Sequence, residues 1–159
     1  MQDEPKLDAL DELIIERLRT NGRKANVELA RELGVTETTV RRRLQRLIEQ
    51  DYVRIIAVTN PRRMGYEFDA VVALDVDMYR LEEVAQRLAQ QPEVRFVGCV
   101  TGTHNIHFVG LFRSPEHFHQ FLTHELAEVP GIRKMEAAQV VKVHKRTYDR
   151  VEADGAVSF

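Results

Sequence analysis

Cysteine is almost missing from this chain of 159 residues: the one thiol, Cys99, has no second cysteine with which to close a disulfide inside the chain. It lies within an apolar run, so a buried thiol in a reducing compartment is the simplest expectation. Long apolar runs are missing too, and nothing approaches the length needed to cross a bilayer. The N-terminus, MQDEPKLDAL, is acidic and unlike a signal peptide. A cytoplasmic protein with no membrane partner is expected. No glycine-rich phosphate loop, nucleophile elbow or zinc-protease motif appears. Catalysis therefore has little support, and the expectation is a protein that is not an enzyme and carries no cofactor.

Six histidines raise the question of a metal. His104 and His107 are three apart, and His117 and His119 are two apart. On a helix the latter pair diverges by about 200° and cannot share an ion. No cysteine or tight acid cluster completes a tetrahedral set. No metal site is expected, and the histidines read as solvated or packing groups. His107 is placed on the open face of a sheet.

An excess of one charge sign is also lacking. The net charge of −2 does not announce a nucleic-acid binder, but its distribution is informative. Residues 1–60 hold 11 basic and 11 acidic side chains, with basic ones clustered at 41–46. Residues 64–132 hold 4 basic and 10 acidic, a net of −6; residues 133–150 hold 6 and 2, a net of +4. A local basic face followed by an acidic part suits a DNA reader joined to a domain with another task.

The basic cluster sits in NVELARELGVTETTVRRRLQR, residues 26–46. Two short helices joined by a tight turn are predicted there. Ala30 is small enough for a close crossing, Gly34 ends the first helix in the left-handed conformation, and Val40 is the first inward residue of the second. This spacing is that of a helix-turn-helix, whose second helix enters the major groove. Thr36 is the expected N-cap, with Glu37 against the positive end of the helix dipole. Val40, Leu44, Leu47 and Ile48 form one apolar stripe. At about 100° per residue, Thr38, Arg41, Arg42, Gln45 and Arg46 fall on the other side. Arginine grips phosphate or guanine bidentately and glutamine does the same to adenine, so these five residues are the predicted DNA-binding set. Arg42 points furthest from the stripe. Arg43 flanks it and is expected to pair locally with an acid.

Upstream, Leu7, Leu10, Leu13, Ile14 and Leu18 predict a first helix over 7–20, ended by Asn21-Gly22 with Gly22 as the cap. Asn26 then reads as the cap of a helix over 27–33 with Val27, Ala30 and Leu33 inward. Downstream, Tyr52 to Val58 is β-branched and predicts a strand, and Thr59-Asn60-Pro61-Arg62-Arg63 reads as linker. Strands are then expected at 68–76, 94–101, 106–112 and 132–147, with helices marked by Leu81, Val84, Ala85 and Leu88 and by Ser114-Pro115-Glu116. Phe118, Phe121 and Leu122 are expected to face inward. The order strand-helix-strand, twice, is the ferredoxin-like arrangement, with helices on one face and an open face free to associate. The expected class is α+β: an N-terminal winged/helix-turn-helix domain followed by a ferredoxin-like βαββαβ domain. The expected divisions are 1–51, a strand and linker at 52–63, the second domain at 64–150, and a flexible tail at 151–159.

LDELIIERLRTNGRKANVELARELGVTETTVRRRLQRL, DYVRIIAV, NPRRMGYEF and VGCVTGTHNIHFVGLF, in this order, resemble the Lrp/AsnC (leucine-responsive regulatory protein) family of transcription regulators. The likeness covers roughly residues 6–148. It implies a sequence-specific transcription regulator bound to double-stranded DNA, with a second domain that senses a small-molecule effector and oligomerises. The strand at 52–58 would pair subunits into a homodimer, and dimers would assemble through the second domains, often into octamers. The effector, an amino acid or other small metabolite, would bind at the turn Thr101-Gly102-Thr103-His104-Asn105. Where the family often has aspartate at the end of this turn, this chain has Asn105, which offers no carboxylate to a ligand ammonium. A weaker response to simple amino acids is expected, a plain hairpin turn supporting assembly being the other reading. Two rival functions remain: a siroheme-decarboxylase-like tetrapyrrole enzyme of similar architecture, and a small-molecule sensor that does not bind DNA.

Overall fold

The computed structural model describes residues 7–144 and the backbone of 150–151 and 157–158. These residues fall into two compact units that divide between Val58 and Thr59.

The first unit is built on three helices, α1 (Ala9–Thr20), α2 (Asn26–Leu33) and α3 (Glu37–Glu49). No strand forms among residues 7–58. Ile14 and Leu18 of α1, Leu29 and Ala30 of α2, and Val40 and Leu47 of α3 close a shared core. Two expected inward positions differ. Leu13 is exposed, and Val27 is exposed while Leu29 is fully buried. Leu29, Ala30 and Leu33 span one narrow arc of α2, whereas Val27 lies about 160° from Leu29. Asn21, in extended conformation with its N–H bonded to the Arg17 carbonyl, rather than Gly22, caps the end of α1. At the start of α2, Ala25, rather than Asn26, takes the N-cap position. Having no side-chain acceptor, it relies on Glu28, whose carboxylate accepts the Ala25 N–H at 3.4 Å. Gly34 ends α2 at φ 67°, the left-handed conformation the turn requires.

After α3, Asp51 adopts a positive φ of 56°, and Tyr52 N–H bonds back to the Leu47 carbonyl at 2.9 Å. The strand expected over Tyr52–Val58 does not form: residues 53–60 carry no helix or strand. A strand exists only against a partner, and no segment of the described chain pairs with this one. Its β-branched side chains are left uncovered, Ile55 at 51% and Val58 at 53% exposure.

The second unit is a four-stranded antiparallel sheet of β1 (Phe68–Val76), β2 (Val94–Cys99), β3 (Ile106–Phe112) and β4 (Ile132–Gln139), in the order β2-β3-β1-β4. With α4 (Leu81–Ala89) and α5 (Pro115–Gln120) in the two crossovers, this is the ferredoxin-like fold. Ala70, Val72, Leu74 and Val76 of β1 point into the core beside Ile106, Phe108 and Phe112, and Val84 and Leu88 of α4 cover them. Alternation puts Asp69, Val71, Ala73 and Asp75 on the other face. Opposite them in register lie Leu111, Val109 and His107, and, on β4, Ala138, Glu136 and Lys134.

α5 continues into a π-helical turn at Phe121–Leu126. That winding brings residues five apart onto one face, and Phe121 and Leu126 are both buried. Three further expectations are corrected. The last strand stops at Gln139 instead of reaching residue 147, because its ladder with β1 ends there; Val140 N–H makes one last bond to the Asp69 carbonyl at 2.8 Å. Residues 145–147 lie outside the described residues. The strand expected over 94–101 ends at Cys99. Cys99 is exposed rather than buried, since it occupies the last rung of an edge strand with one neighbour only. Most of the tail 151–159 lies outside the described residues, apart from two-residue strands β5 (Arg150–Val151) and β6 (Val157–Ser158). No described helix is long and apolar enough to cross a membrane.

Candidate nucleic-acid interface

α3 begins as its sequence requires. Thr36 Oγ1 accepts the Thr39 N–H at 3.2 Å, and Glu37 stands in the first turn. Val40 and Leu47 anchor the inner side, with Leu44 half-buried and Ile48 exposed at the end of the stripe. This anchoring fixes the roll of the helix and leaves Thr38, Arg41, Arg42 and Gln45 exposed together. Among the described residues, the side chains of Arg41 and Arg42 make no ion pair or hydrogen bond. Gln45 Nε2 donates to Glu49 Oε1 at 2.8 Å, one turn along.

Arg46 behaves differently from this group. Its guanidinium Nη2 donates to Oδ2 of Asp11, a fully buried carboxylate on α1. Arg43 Nη1 donates to Asp11 Oδ1 at 3.1 Å and also to Asp8 Oδ2. Arg43 is thus paired with acids, but with those of α1 rather than with a local one, and the cluster takes Arg46 as well. Four residues on, about 40° round the helix from Arg42, Arg46 lies at one edge of the outward set, within reach of α1. Asp8 and Asp11 also exchange backbone hydrogen bonds in a capping box, Asp11 N–H to Asp8 Oδ1 at 3.0 Å and Asp8 N–H to Asp11 Oδ2 at 3.2 Å. The Arg43 hydrogen bond, followed by the Asp11 N–H, lowers the Asp8 carboxyl pKa to about 2. The Arg43 guanidinium is raised above its ordinary value by its hydrogen bonds to the Asp8 and then the Asp11 carboxylate.

Little in the sequence marks Asp11. Its local signal is the Asp8-x-x-Asp11 spacing of a capping box. Its partners lie 32 and 35 residues away.

The turn 101–105 joins β2 to β3. Thr101, Gly102 and Thr103 are exposed, and Gly102 holds φ 136°, which a side chain would strain. His104 is mostly covered; its Nε2 lies 3.6 Å from Glu136 Oε1 and its ring stands edge-on to His107 at 6.4 Å. Asn105 is not free to meet a ligand. Its Oδ1 accepts Val76 N–H at 2.8 Å, and its Nδ2 donates to the Val76 carbonyl at 2.7 Å. Its backbone N–H bonds to the Leu74 carbonyl at 2.9 Å. The amide thus clasps both polar groups of the last residue of β1, as a paired strand residue would. Aspartate here accepts the N–H but cannot donate to the carbonyl. Asn105→Asp is therefore expected to cost about 1–3 kcal/mol of stability. Chemical denaturation checks this; an unchanged midpoint would show that the clasp contributes nothing.

The other histidines have packing roles or open surroundings. His117 Nδ1 accepts Arg113 N–H at 3.2 Å, its Nε2 faces Glu93 Oε1 at 3.3 Å, and its ring meets Phe112 edge-on. His119 is exposed. Among the described residues no group of three or more His, Cys, Asp or Glu is placed to hold a metal.

Comparison with known proteins adds a family. Residues 7–48 match the AsnC-type helix-turn-helix domain, and residues 69–149 match the Lrp/AsnC ligand binding domain. An uncharacterized HTH-type transcriptional regulator of Pyrococcus furiosus is 38% identical over 146 residues, covering 91% of this chain and 99% of that one. The HTH-type transcriptional regulator FL11 of the same organism is 30% identical, covering 89% and 93%. Among solved structures, Escherichia coli AsnC superimposes with a TM-score of 0.83 at 22% identity, covering 91% and 99%. A transcriptional regulator of Neisseria meningitidis, solved with L-Met, does so with 0.84 at 24%, covering 91% and 96%. With both of its domains matched in the order they occupy here, this chain belongs to the Lrp/AsnC family of HTH-type transcription regulators.

Proposed function

We propose that this regulator reads duplex DNA with Thr38, Arg41, Arg42 and Gln45 of α3, and that Arg46 serves mainly to orient that helix. The observation that carries this reading is the division of the arginines. Arg41 and Arg42 face outward without acids, while Arg43 and Arg46 are held by Asp8 and Asp11. An unpaired guanidinium can grip guanine O6 and N7 or a phosphate at full strength. One recognition helix reads too few bases for useful specificity, so two copies act together. The uncovered Ile55, Ile56 and Val58, in a strand sequence without a strand, suit pairing with the same segment of a second subunit. The open face of the sheet offers a second surface for assembly beyond the dimer.

The small-molecule effector is assigned to the turn 101–105, through Thr101, the open backbone at Gly102, Thr103 and His104. The L-Met bound to the Neisseria regulator supports an amino acid as the class. Asn105 acts there by holding the turn against β1.

Arg42→Ala tests the reading. It is expected to weaken binding at the preferred sequence by about 1–3 kcal/mol and to relax preference at one base position. Arg46→Ala is expected to lower protein stability more than it alters base preference. Footprinting on genomic DNA, followed by titration of the protected sequence, measures both. Wild-type affinity and preference in Arg42→Ala would mean that another surface reads the DNA.

A further inference from the structure

Residues 64–132, the larger part of the second unit, are acidic, yet arginines gather in one place there. Only four basic side chains occur between residues 64 and 132, and two of them, Arg95 and Arg113, stand over the same ring, that of Tyr66, at 5.8 and 5.1 Å from its centroid. Arg62 and Arg63 lie in the 3₁₀ turn immediately before it. The backbone ties that turn to the tyrosine: Tyr66 N–H bonds to the Pro61 carbonyl at 3.0 Å and Gly65 N–H to the Arg62 carbonyl at 3.2 Å. Gly65, at φ 82°, lets the chain reverse, and a Cβ there would stand 3.3 Å from the Arg113 guanidinium.

Two features separate this cluster from an ordinary solvated surface. None of the four arginines makes an ion pair among the described residues, although Arg80, Arg133 and Lys134 of the same unit are each paired with an acid. Arg95, moreover, sits in a bulge of the edge strand, where the register with β3 shifts between Val94 and Phe96. A bulge re-aims a side chain that regular pairing would direct elsewhere. A guanidinium held over an aromatic face keeps its in-plane donors free for an anion.

We propose that Arg62, Arg63, Arg95 and Arg113, ordered by Tyr66, form a second DNA-contacting surface that takes backbone phosphates of duplex outside the bases read by α3. The proposal rests on the reading of this chain as a DNA binder and adds a surface which that reading does not contain. The surface presents four guanidiniums paired with no described acid, which suits phosphate. It carries no sequence information, since phosphates are alike along the duplex. Its contribution is therefore to affinity, to salt dependence and to the length of DNA engaged.

The test uses the full chain and a random-sequence duplex of about 60 bp, titrated between about 50 and 200 mM salt, where each phosphate contact contributes about 0.9 to the slope of log K against log salt. Replacing all four arginines with glutamine is expected to reduce that slope by about 2–4. The fourfold lysine variant is expected to keep most of it, which separates lost charge from lost fold. The glutamine variant with a native circular dichroism spectrum and an unchanged slope would overturn the proposal. So would an unchanged slope with a reduced mass by sedimentation, which would assign the cluster to contact with another copy of this chain. Arg42→Ala, titrated in parallel, reports on α3 alone. If it leaves base preference intact while the fourfold variant flattens the slope, the reading of α3 fails and the second surface stands.

Discussion

Asp11→Ala is expected to destabilise the first unit by about 3–5 kcal/mol, the range for removing one partner from a buried ion pair. Asp11 has no exposed surface and receives bonds from Arg43, Arg46 and the Asp8 N–H. Once the carboxylate is gone, two guanidiniums and one backbone donor lose their acceptor together. Arg43 keeps Asp8, and Arg46 has a path to solvent, so the lower end of the range is the better expectation. Urea denaturation of the full chain, followed by helix signal, measures it; a loss under about 1 kcal/mol would show that the cluster contributes no more than a surface pair. Asp11→Asn retains the shape and one acceptor and is expected to cost less. It also frees Arg46 at the edge of the outward arc, so its affinity for non-specific DNA is expected to rise.

The same cluster sets an acid limb. The Asp8 carboxyl titrates at about 2 in the folded chain, mainly because Arg43 donates to it and then because the Asp11 N–H does. A carboxyl lowered on folding stabilises above its unfolded pKa, near 4, and that stabilisation fades as pH falls from about 4 toward 2. Asp8→Asn is expected to flatten this part of the stability curve.

The second large effect lies in the other unit. Phe112→Ala is expected to cost about 3–5 kcal/mol, as for other fully buried phenylalanines. Its ring sits against Phe118 at 4.8 Å, Phe121 at 5.2 Å and His117 at 5.6 Å between centroids. The ring fits because Gly110, two residues earlier on the same face, has no side chain: a Cβ there would lie 2.6 and 2.8 Å from ring carbons of Phe112. Gly110→Ala alone is therefore expected to be destabilising by about 1–3 kcal/mol through overpacking. In the Phe112→Ala background the same methyl group enters vacated space. The two changes should then combine to less than their sum, a coupling that a double-mutant cycle reads directly. Strict additivity would show that the ring moves aside without cost. Hydrogen exchange at the β1 and β3 amides places the loss in this sheet.

Local patterns carry little about such contacts, and the two candidate sites show where legibility ends. The outward exposure of Thr38, Arg41, Arg42 and Gln45 followed from helical period alone, because Val40 and Leu47 left one choice of roll. The capture of Arg46 did not, since an arginine on the edge of the arc can face water or an acid with equal ease. At the turn, Gly102 signalled its own backbone conformation. Asn105 read as a free polar group and proved to be a clasp on Val76, because nothing in a pentapeptide reveals which strand end lies beside it.

Hydrophobic periodicity, turn residues and caps determined this protein's element order by themselves: three helices with Gly34 at the turn, then strand-helix-strand twice. These signals act within a few residues, so they survive in the sequence. Tertiary structure alone decided that Leu29 rather than Val27 enters the core, that Asp11 binds two arginines, and that Asn105 seals the end of β1. It also decided that Tyr52–Val58 remains without a strand and that the last strand ends at Gln139. A strand needs hydrogen-bonding partners, and a buried charge needs a counter-charge. Both requirements are met, or left unmet, by residues tens of positions away, which only the folded chain brings together.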